Sequence, residues 1–534
     1  MVDNIYVFET LRATGTTVVF DDGTGNDWVF LDGFYPAVSG HSGPSSTLSL
    51  SDPVFGIVAH VTVWDSASAF YAITFTGGIE NIRGSAGTDF IDGNGGANIL
   101  MGDATDVAGG FDWNRGFGGD DTLLGVGGGD LLWGGTGDDL MFGDNDPFAQ
   151  DQGNFAAGDD TLLGDEGNDR LSGGFGNNTL NGGADLDVAD YSGFFDDFGT
   201  VTYAIHGNLE TGIVTVRQVD LFDGTVSTVA TDLLLSIETL VGTVGNDVLV
   251  GQSTFAAGGL FFDQLFAGAG NDTVTGGAYV DAIYGGDGND DLRDGGNFSG
   301  SGGGVDALAG GAGNDLYYVT TFGAAVTEFA GAGTDTVIAG YNYSLTGNVE
   351  NLTMAAGVGT ALFGNGNDLG NLVNGNGFAN GLWGFDGNDT IWGRAGADTL
   401  IGGLGQDRLF GGSEADVLSG GASNDRLSGG TGLDRMTGGG GADLFLFASA
   451  AEAGAGMQRD VIVDFTPGID RIDLSKIMAG QSFIGGALFS RVVGEVRYDP
   501  VKGVLAGDLD GDRAADYQIV LGGAPLLLGS DLIL

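Results

Sequence analysis

Aspartate recurs every nine residues through much of this chain, and that spacing is where chemistry is to be sought. The clearest run, residues 375–446, divides into eight consecutive nonapeptides. Four of them read GFDGNDTIW (384–392), GRAGADTLI (393–401), GGLGQDRLF (402–410) and GGSEADVLS (411–419). Position 6 is Asp389, Asp398, Asp407, Asp416, Asp425, Asp434 and Asp443, with Asn380 the exception. Upstream, residues 116–142 carry Asp121, Asp130 and Asp139, and residues 164–190 carry Asp169, Asn178 and Asp187. Residues 242–319 add Asp247, Asp263, Asp272, Asp281, Asp290, Asp306 and Asp315. Looser units hold Asp89, Asp160 and Asp368. These aspartates are the candidate metal ligands. Two glycine-rich turns, each bearing a short carboxylate, enclose a site of carboxylate and carbonyl oxygens. Such a site suits Ca²⁺, which takes six to eight oxygens at about 2.3–2.6 Å.

The elements that hold the aspartates follow from the rest of the repeat. Position 8 is always apolar in the clearest run: Leu382, Ile391, Leu400, Leu409, Leu418, Leu427, Met436 and Phe445. Six turn residues therefore alternate with a three-residue strand whose middle side chain points inward. One such strand has almost no stability alone, but stacked copies bury a continuous apolar ladder. Glycines at positions 1, 2 and 4 permit tight backbone and close carbonyl approach. Each Asp then faces the neighbouring turn on the same side. Uncompensated carboxylates stacked there would repel strongly at low dielectric. The expected fold is all-β: three Ca²⁺-stabilised parallel β-rolls, nonapeptide solenoids with β-rich caps.

These nonapeptides resemble the haemolysin-type RTX repeat, and the resemblance covers residues 84–534. It implies calcium as the cofactor, in multiple ions. About 15 ions between same-side turns would offset about 30 negative charges. Past the repeats, Asp460-Val461-Ile462-Val463-Asp464-Phe465 runs into Gly468-Ile469-Asp470-Arg471-Ile472-Asp473-Leu474. This stretch resembles the C-terminal portion of serralysin-type secreted proteins. The final Asp531-Leu532-Ile533-Leu534 is similar to the family's C-terminal export signal. The resemblance implies a partner in a Gram-negative-type type I secretion apparatus, passage as an unfolded chain, and folding outside the cell. Serralysins also carry a zinc protease domain that needs H-E-x-x-H. The three histidines here, His41, His60 and His206, form no such pair, so proteolysis is not carried over.

Three modules are expected. They comprise an N-terminal β-rich cap (1–83), a roll with inserted loops (84–190), a cap (191–241), a second roll (242–319), a cap (320–363), a third roll (364–447) and the serralysin-like segment (448–534). Each roll has a lead-in step: Ile79-Glu80-Asn81-Ile82, Ile237-Glu238-Thr239-Leu240 and Val349-Glu350-Asn351-Leu352. Caps are needed because an open roll end exposes strand edges. Inserts at 102–115, 144–157 and 252–262 bulge from turns, and Asp144, Asp146 and Asp151 are candidates for an additional ion. Asp508-Leu509-Asp510-Gly511-Asp512-Arg513-Ala514-Ala515-Asp516 reads as a tight turn between strands, with a calcium loop as the alternative.

Composition narrows the function. Glycine supplies 107 of 534 residues, proline 7, and the formal net charge is −55. So acidic a chain repels phosphate backbones and anionic membrane surfaces, which argues against nucleic acid as a partner. An apolar fraction of 42% argues for an ordered core against disorder. The absence of cysteine excludes disulfides and zinc thiolate sites. No basic n-region opens the sequence and no run of about 18 apolar residues occurs, so neither an N-terminal signal peptide nor a transmembrane segment is expected. No G-x-S-x-G, P-loop or dinucleotide fingerprint appears. Trp133, Phe142, Trp383, Trp392 and Phe410 at position 9 are expected on the roll surface, where they cover it or stack on sugars or a partner. The expected function is a secreted, extracellular calcium-binding protein, free or attached to a cell surface, with a structural, matrix or adhesion role. Its partners would be polysaccharide or further copies of itself. The alternative is an extracellular polysaccharide-active enzyme with its site in the non-repeat caps.

Overall fold

The computed structural model describes residues 120–126, 129–144, 158–194, 200–253, 262–278, 280–296, 305–356, 363–456 and 458–534. It also describes the backbone alone of eight strands between Ile5 and Met101, and of Val126 and Gln458. Two compact units emerge, Met1–Asp287 and Gly288–Leu534. Both are built mainly of short parallel strands, with antiparallel sheets added. The inserts expected at 102–115, 144–157 and 252–262 lie almost entirely outside the described residues.

In the second unit, successive nonapeptides alternate between two rows of strands, so each strand pairs in parallel with the one eighteen residues on. One row runs Leu372–Asn374, Thr390–Ala395, Arg408–Ser413, Arg426–Thr431 and Leu444–Leu446. The other runs Gly381–Asp386, Thr399–Leu404, Val417–Ala422 and Arg435–Gly440. Position 8 stays in register, Ile391 opposite Leu409 and Leu400 opposite Leu418, and these side chains are fully buried. Each such burial is worth about 1.5–3 kcal/mol, which is what holds strands too short to persist alone. Repeat position 7 closes the ladder: Arg408 N–H donates to the Asp389 carbonyl at 2.8 Å.

The segment 320–363, expected as a cap, takes part in the ladder. Leu316–Val319 pairs in parallel with Thr336–Ala339, that strand with Asn351–Met354, and that one with Leu372–Asn374. Val337 and Leu352 occupy the inward position. Nor does the ladder stop at residue 447. Val461–Ile462 pairs with Arg435–Gly440, and Arg471–Asp473 pairs with Leu444–Leu446. A true antiparallel cap comes next: Tyr517–Leu521 joins Val461–Ile462, then Val504–Asp508 and Glu495–Asp499 add at its edge. Leu532–Ile533, within the tetrapeptide read as an export signal, is a closing strand on Arg471–Asp473. One helical turn, Ala450–Ala453, is capped by Ser449.

The first unit treats its expected cap 191–241 differently. One row passes straight through: Arg170–Ser172, Val188–Asp190, Thr239–Val241 and Phe262–Ala269 are consecutive parallel partners. The other row is spliced by an antiparallel meander of Val201–Asn208, Ile213–Asp220 and Val226–Leu235. The ladder enters the meander at Thr179–Ala184 and leaves it to Val248–Val250, both in parallel. Nearer the N-terminus, Ser46–Asp52, Ile57–Trp64 and Phe70–Thr76 form an antiparallel sheet whose last strand pairs in parallel with Asp89–Asn94.

Candidate calcium column

In the regular turns the two carboxylate oxygens of position 6 have separate roles. Oδ1 accepts the backbone N–H of the position-6 residue one same-side turn earlier. Asp389 N–H donates to Asp407 at 2.9 Å, Asp398 to Asp416 at 2.8 Å, and Asp407 to Asp425, Asp416 to Asp434 and Asp425 to Asp443 at 2.9 Å. Oδ2 of Asp389, Asp398, Asp407, Asp416, Asp425, Asp434 and Asp443 is buried and accepts no hydrogen bond. That oxygen lies against the position-1 glycine of its own repeat. A β-carbon on Gly402 would collide with Asp407 Oδ2 and stand 2.5 Å from the carbonyl oxygen of Gly420. Glycine here is therefore a requirement of space: it leaves room where carboxylate and carbonyl oxygens converge.

The first unit repeats this arrangement. Asp121 N–H donates to Asp139, Asp130 to Asp160, Asp139 to Asp169 and Asp169 to Asp187, each at 2.8 Å. Asp247 N–H donates to Asp272 at 2.7 Å, and in the second unit Asp290 N–H donates to Asp315 at 2.8 Å. Oδ2 of Asp160, Asp169, Asp187 and Asp315 is buried without a hydrogen bond. Burial pushes the carboxyls of Asp160 and Asp416 up to about 8 and those of Asp187, Asp389 and Asp425 up to about 7. Asp169, Asp315, Asp398 and Asp434 rise to about 6 for the same reason. The backbone N–H each one accepts opposes the rise.

Not every predicted aspartate presents an open oxygen. Asp247 is saturated by the N–H and hydroxyl of Thr243 and the N–H of Ile205. Asp263 Oδ2 accepts Gln252 N–H, Asp281 Oδ2 accepts Gly277 N–H, and Asp306 Oδ2 accepts the Thr321 hydroxyl. Asp368 is a correction. It sits on the exposed outside of its turn, at position 3, while Asn371 holds position 6. Asn371 donates its amide to the Val349 and Glu350 carbonyls, at 3.3 and 3.2 Å. Asn178 likewise bonds the Gly174 carbonyl. An amide thus fills with its own hydrogens the place that a cation takes beside a carboxylate. Asp89 is described by backbone only. Phe90 pairs with Thr122, which sets Asp89 level with Asp121.

Six acidic residues in the column are absent from the spacing-based set. Asp335 N–H donates to Glu350, and Asp335 accepts the N–H of Asp315 at 2.9 Å. Glu238 accepts Asp187 N–H, Asp460 accepts Asp434 N–H, and Asp470 accepts Asp443 N–H. Asp232, in the meander, accepts Asn178 N–H, and its second oxygen takes the Tyr191 hydroxyl. The signal was an acidic residue two before an inward apolar one: Leu234, Leu240, Val337, Leu352, Ile462 and Ile472 are all buried. The lead-in steps at Glu238 and Glu350 are thus rungs in which Glu replaces Asp.

The remaining candidates resolve simply. Asp144 Oδ2 accepts Gly158 N–H while Oδ1 is buried without a partner, and burial pushes its carboxyl up to about 7. Asp146 and Asp151 lie outside the described residues. Asp508 accepts the N–H groups of Gly511 and Arg513 in a turn between antiparallel strands, with carboxylate oxygens of Asp510 and Asp516 nearby. His206 pairs with Arg217 at 2.9 Å. Trp392 is exposed and stacks on Phe410 at 4.0 Å, whereas Phe142, expected on the surface, is buried.

Carboxylate and carbonyl oxygens, with neither nitrogen nor sulfur among them, fit a hard divalent cation of the calcium type. The fold and column together define a parallel β-roll of the calcium-binding kind. The family model for the RTX calcium-binding nonapeptide repeat matches residues 76–106, 115–146, 156–189, 236–253, 257–293, 301–317, 383–418 and 410–445. These stretches are repeats of the RTX type, nonapeptides that bind calcium. No curated protein matches the chain. Among solved structures, it is similar to the AlgE6R3 subunit from the Azotobacter vinelandii mannuronan C5-epimerase. That match has 24% identity and a TM-score of 0.14, over 31% of this chain and 78% of that one. No described helix is long and apolar enough to cross a membrane.

Proposed function

We propose that this chain is an exported calcium-binding protein with a structural role at a cell surface or in a matrix. On this reading it stays unfolded where calcium is scarce and folds where calcium is plentiful. One observation carries it: turn after turn buries a carboxylate oxygen that no protein group satisfies. A buried charge without a partner costs several kcal/mol, so the fold needs a cation at these turns. Cations bound only by the native state make folding and binding one process. Export by a type I apparatus through residues 448–534, and surface polysaccharide or further copies of the chain as partners, belong to the same proposal. The exposed Trp392–Phe410 stack is the surface offered to such partners.

The test is far-UV circular dichroism with hydrodynamic radius across a calcium titration. An expanded chain in chelator and a compact β-rich one at millimolar Ca²⁺ are expected. A chain equally folded in excess chelator would overturn the reading. For export, deleting Asp531–Leu534 should retain the protein inside a host that carries the apparatus. Because Leu532–Ile533 also closes a sheet, the purified deletion variant should be titrated with calcium alongside, to separate failed export from failed folding.

A further inference from the structure

One group of carboxylates stands out from the column. Asp315 and Asp335 hold position 6 of consecutive same-side turns, and Glu328 reaches them from outside any repeat position. One oxygen from each of the three lies within 4.8 Å of the others. The residues are only 2%, 6% and 0% exposed for Asp315, Glu328 and Asp335. Asp315 Oδ2, Glu328 Oε2 and Asp335 Oδ2 accept no hydrogen bond, and none of the three residues joins an ion pair among the described residues.

Tyr317 explains how Glu328 is held. It occupies inward position 8, filled in the other regular turns among the described residues by aliphatic side chains, Met or Phe, and it is fully buried. Its hydroxyl donates to Glu328 Oε1, which leaves Oε2 buried without a hydrogen bond. The same hydroxyl and Asp315 Oδ2 crowd the Cα of Gly310, where a β-carbon would collide with both. The contrast with Tyr191 is instructive. There the tyrosine hydroxyl and a backbone N–H satisfy both oxygens of Asp232. Here the hydroxyl serves Glu328, backbone N–H groups serve the two aspartates, and one oxygen of each carboxylate stays open.

We propose that Asp315, Glu328 and Asp335 form a calcium site of higher charge than the regular turns, and that it takes the first ion the second unit binds. The proposal rests on the calcium-dependent reading above. A cation between two regular turns meets two column carboxylates; here it meets three, the third held in place by Tyr317. Calcium sites gain affinity with ligand charge and rigidity, over several decades of Kd.

The experiment is calcium binding to the full chain, by equilibrium dialysis and calorimetry, for wild type, Glu328→Gln, Tyr317→Phe and Asp416→Asn. Wild type should show one ion held more tightly than the rest. E328Q should weaken that ion by about tenfold or more and leave the weaker class intact. D416N should remove an ion from the weaker class without moving the tight one. A tight step unchanged in E328Q, or the absence of any tight step, overturns this site while leaving the repeat sites standing. A wild-type chain that binds no calcium sinks the underlying reading instead. Should E328Q fail to fold in saturating calcium, Y317F decides. With one equivalent of Tb³⁺ as probe, tyrosine-sensitised emission should be strong in wild type and largely lost in Y317F. Equal emission from both places the first ion elsewhere.

Discussion

At the scale of single residues, the column carboxylates behave as acids that the fold would rather keep neutral. Burial raises Asp398 to about 6, Asp389 to about 7 and Asp416 to about 8. An unfolded aspartate titrates near 3.9. A carboxyl raised by folding adds stability that is complete below about pH 4 and is lost as pH climbs through the folded value. Without calcium, therefore, the chain should gain β structure on acidification from neutral pH, as read by circular dichroism in chelator. With calcium the sign turns over: protons compete for the same oxygens, so the calcium midpoint should move to higher concentration as pH falls. The asparagine turns give a second prediction. Asp416→Asn should keep the fold and lose an ion, because an amide can hold the turn as Asn371 does. Asp416→Ala also strips the acceptor from Asp398 N–H, at a further cost of about 1–3 kcal/mol in calcium-bound stability. Conversely, Asn380→Asp should add an ion to the stoichiometry found by dialysis.

At the scale of the element, each turn and strand stands on two positions, a glycine that leaves space and an apolar side chain that fills it. Gly402→Ala would drive a methyl into Asp407 Oδ2 and the Gly420 carbonyl. It should cost about 1–3 kcal/mol in chemical denaturation and weaken calcium binding. Gly440→Ala meets nothing within 4 Å and should stay within about 0.5 kcal/mol of wild type. Leu409→Ala opens a cavity in a fully buried column and should cost about 2–5 kcal/mol. The regular turns were legible in the sequence because both requirements repeat together: Gly402, Asp407 and Leu409 fall at fixed offsets. Where one requirement lapses, the spacing alone misleads. Asp368 has the right residue type but faces out, because its repeat is set by Asn371 and Val373. Glu238, Glu350, Asp460 and Asp470 keep the acid and the inward apolar partner without the regular glycine turn, so the rungs they form look like breaks between modules. The splice at 201–235 was legible as strands but not as an insertion into one row, since pairing between distant strands leaves no local mark.

At the scale of the whole molecule, net charge and calcium are bound together. A chain at −55 resists compaction by self-repulsion, and each bound ion relieves two charges. Each ion bound only by the folded form adds about 1.4 kcal/mol for every tenfold rise in free calcium above its Kd. Thermal midpoints measured by calorimetry should therefore climb steeply with calcium, and by more than magnesium achieves at equal concentration. Magnesium demands near-octahedral geometry and dehydrates reluctantly.

One feature of the column gives the molecule a direction. In the regular turns the position-6 carboxylate reaches back to the turn before it on the same side, as Asp443 does to Asp425 and Asp460 to Asp434. For its position-6 N–H a regular turn thus takes its acceptor from the next turn on its side, while its position-7 N–H takes the carbonyl of the previous one. Loss of the succeeding turn orphans the buried position-6 N–H, and loss of the preceding turn orphans the position-7 N–H. A chain delivered N-terminus first, from a ribosome or through a channel, cannot latch any regular turn until eighteen further residues have emerged.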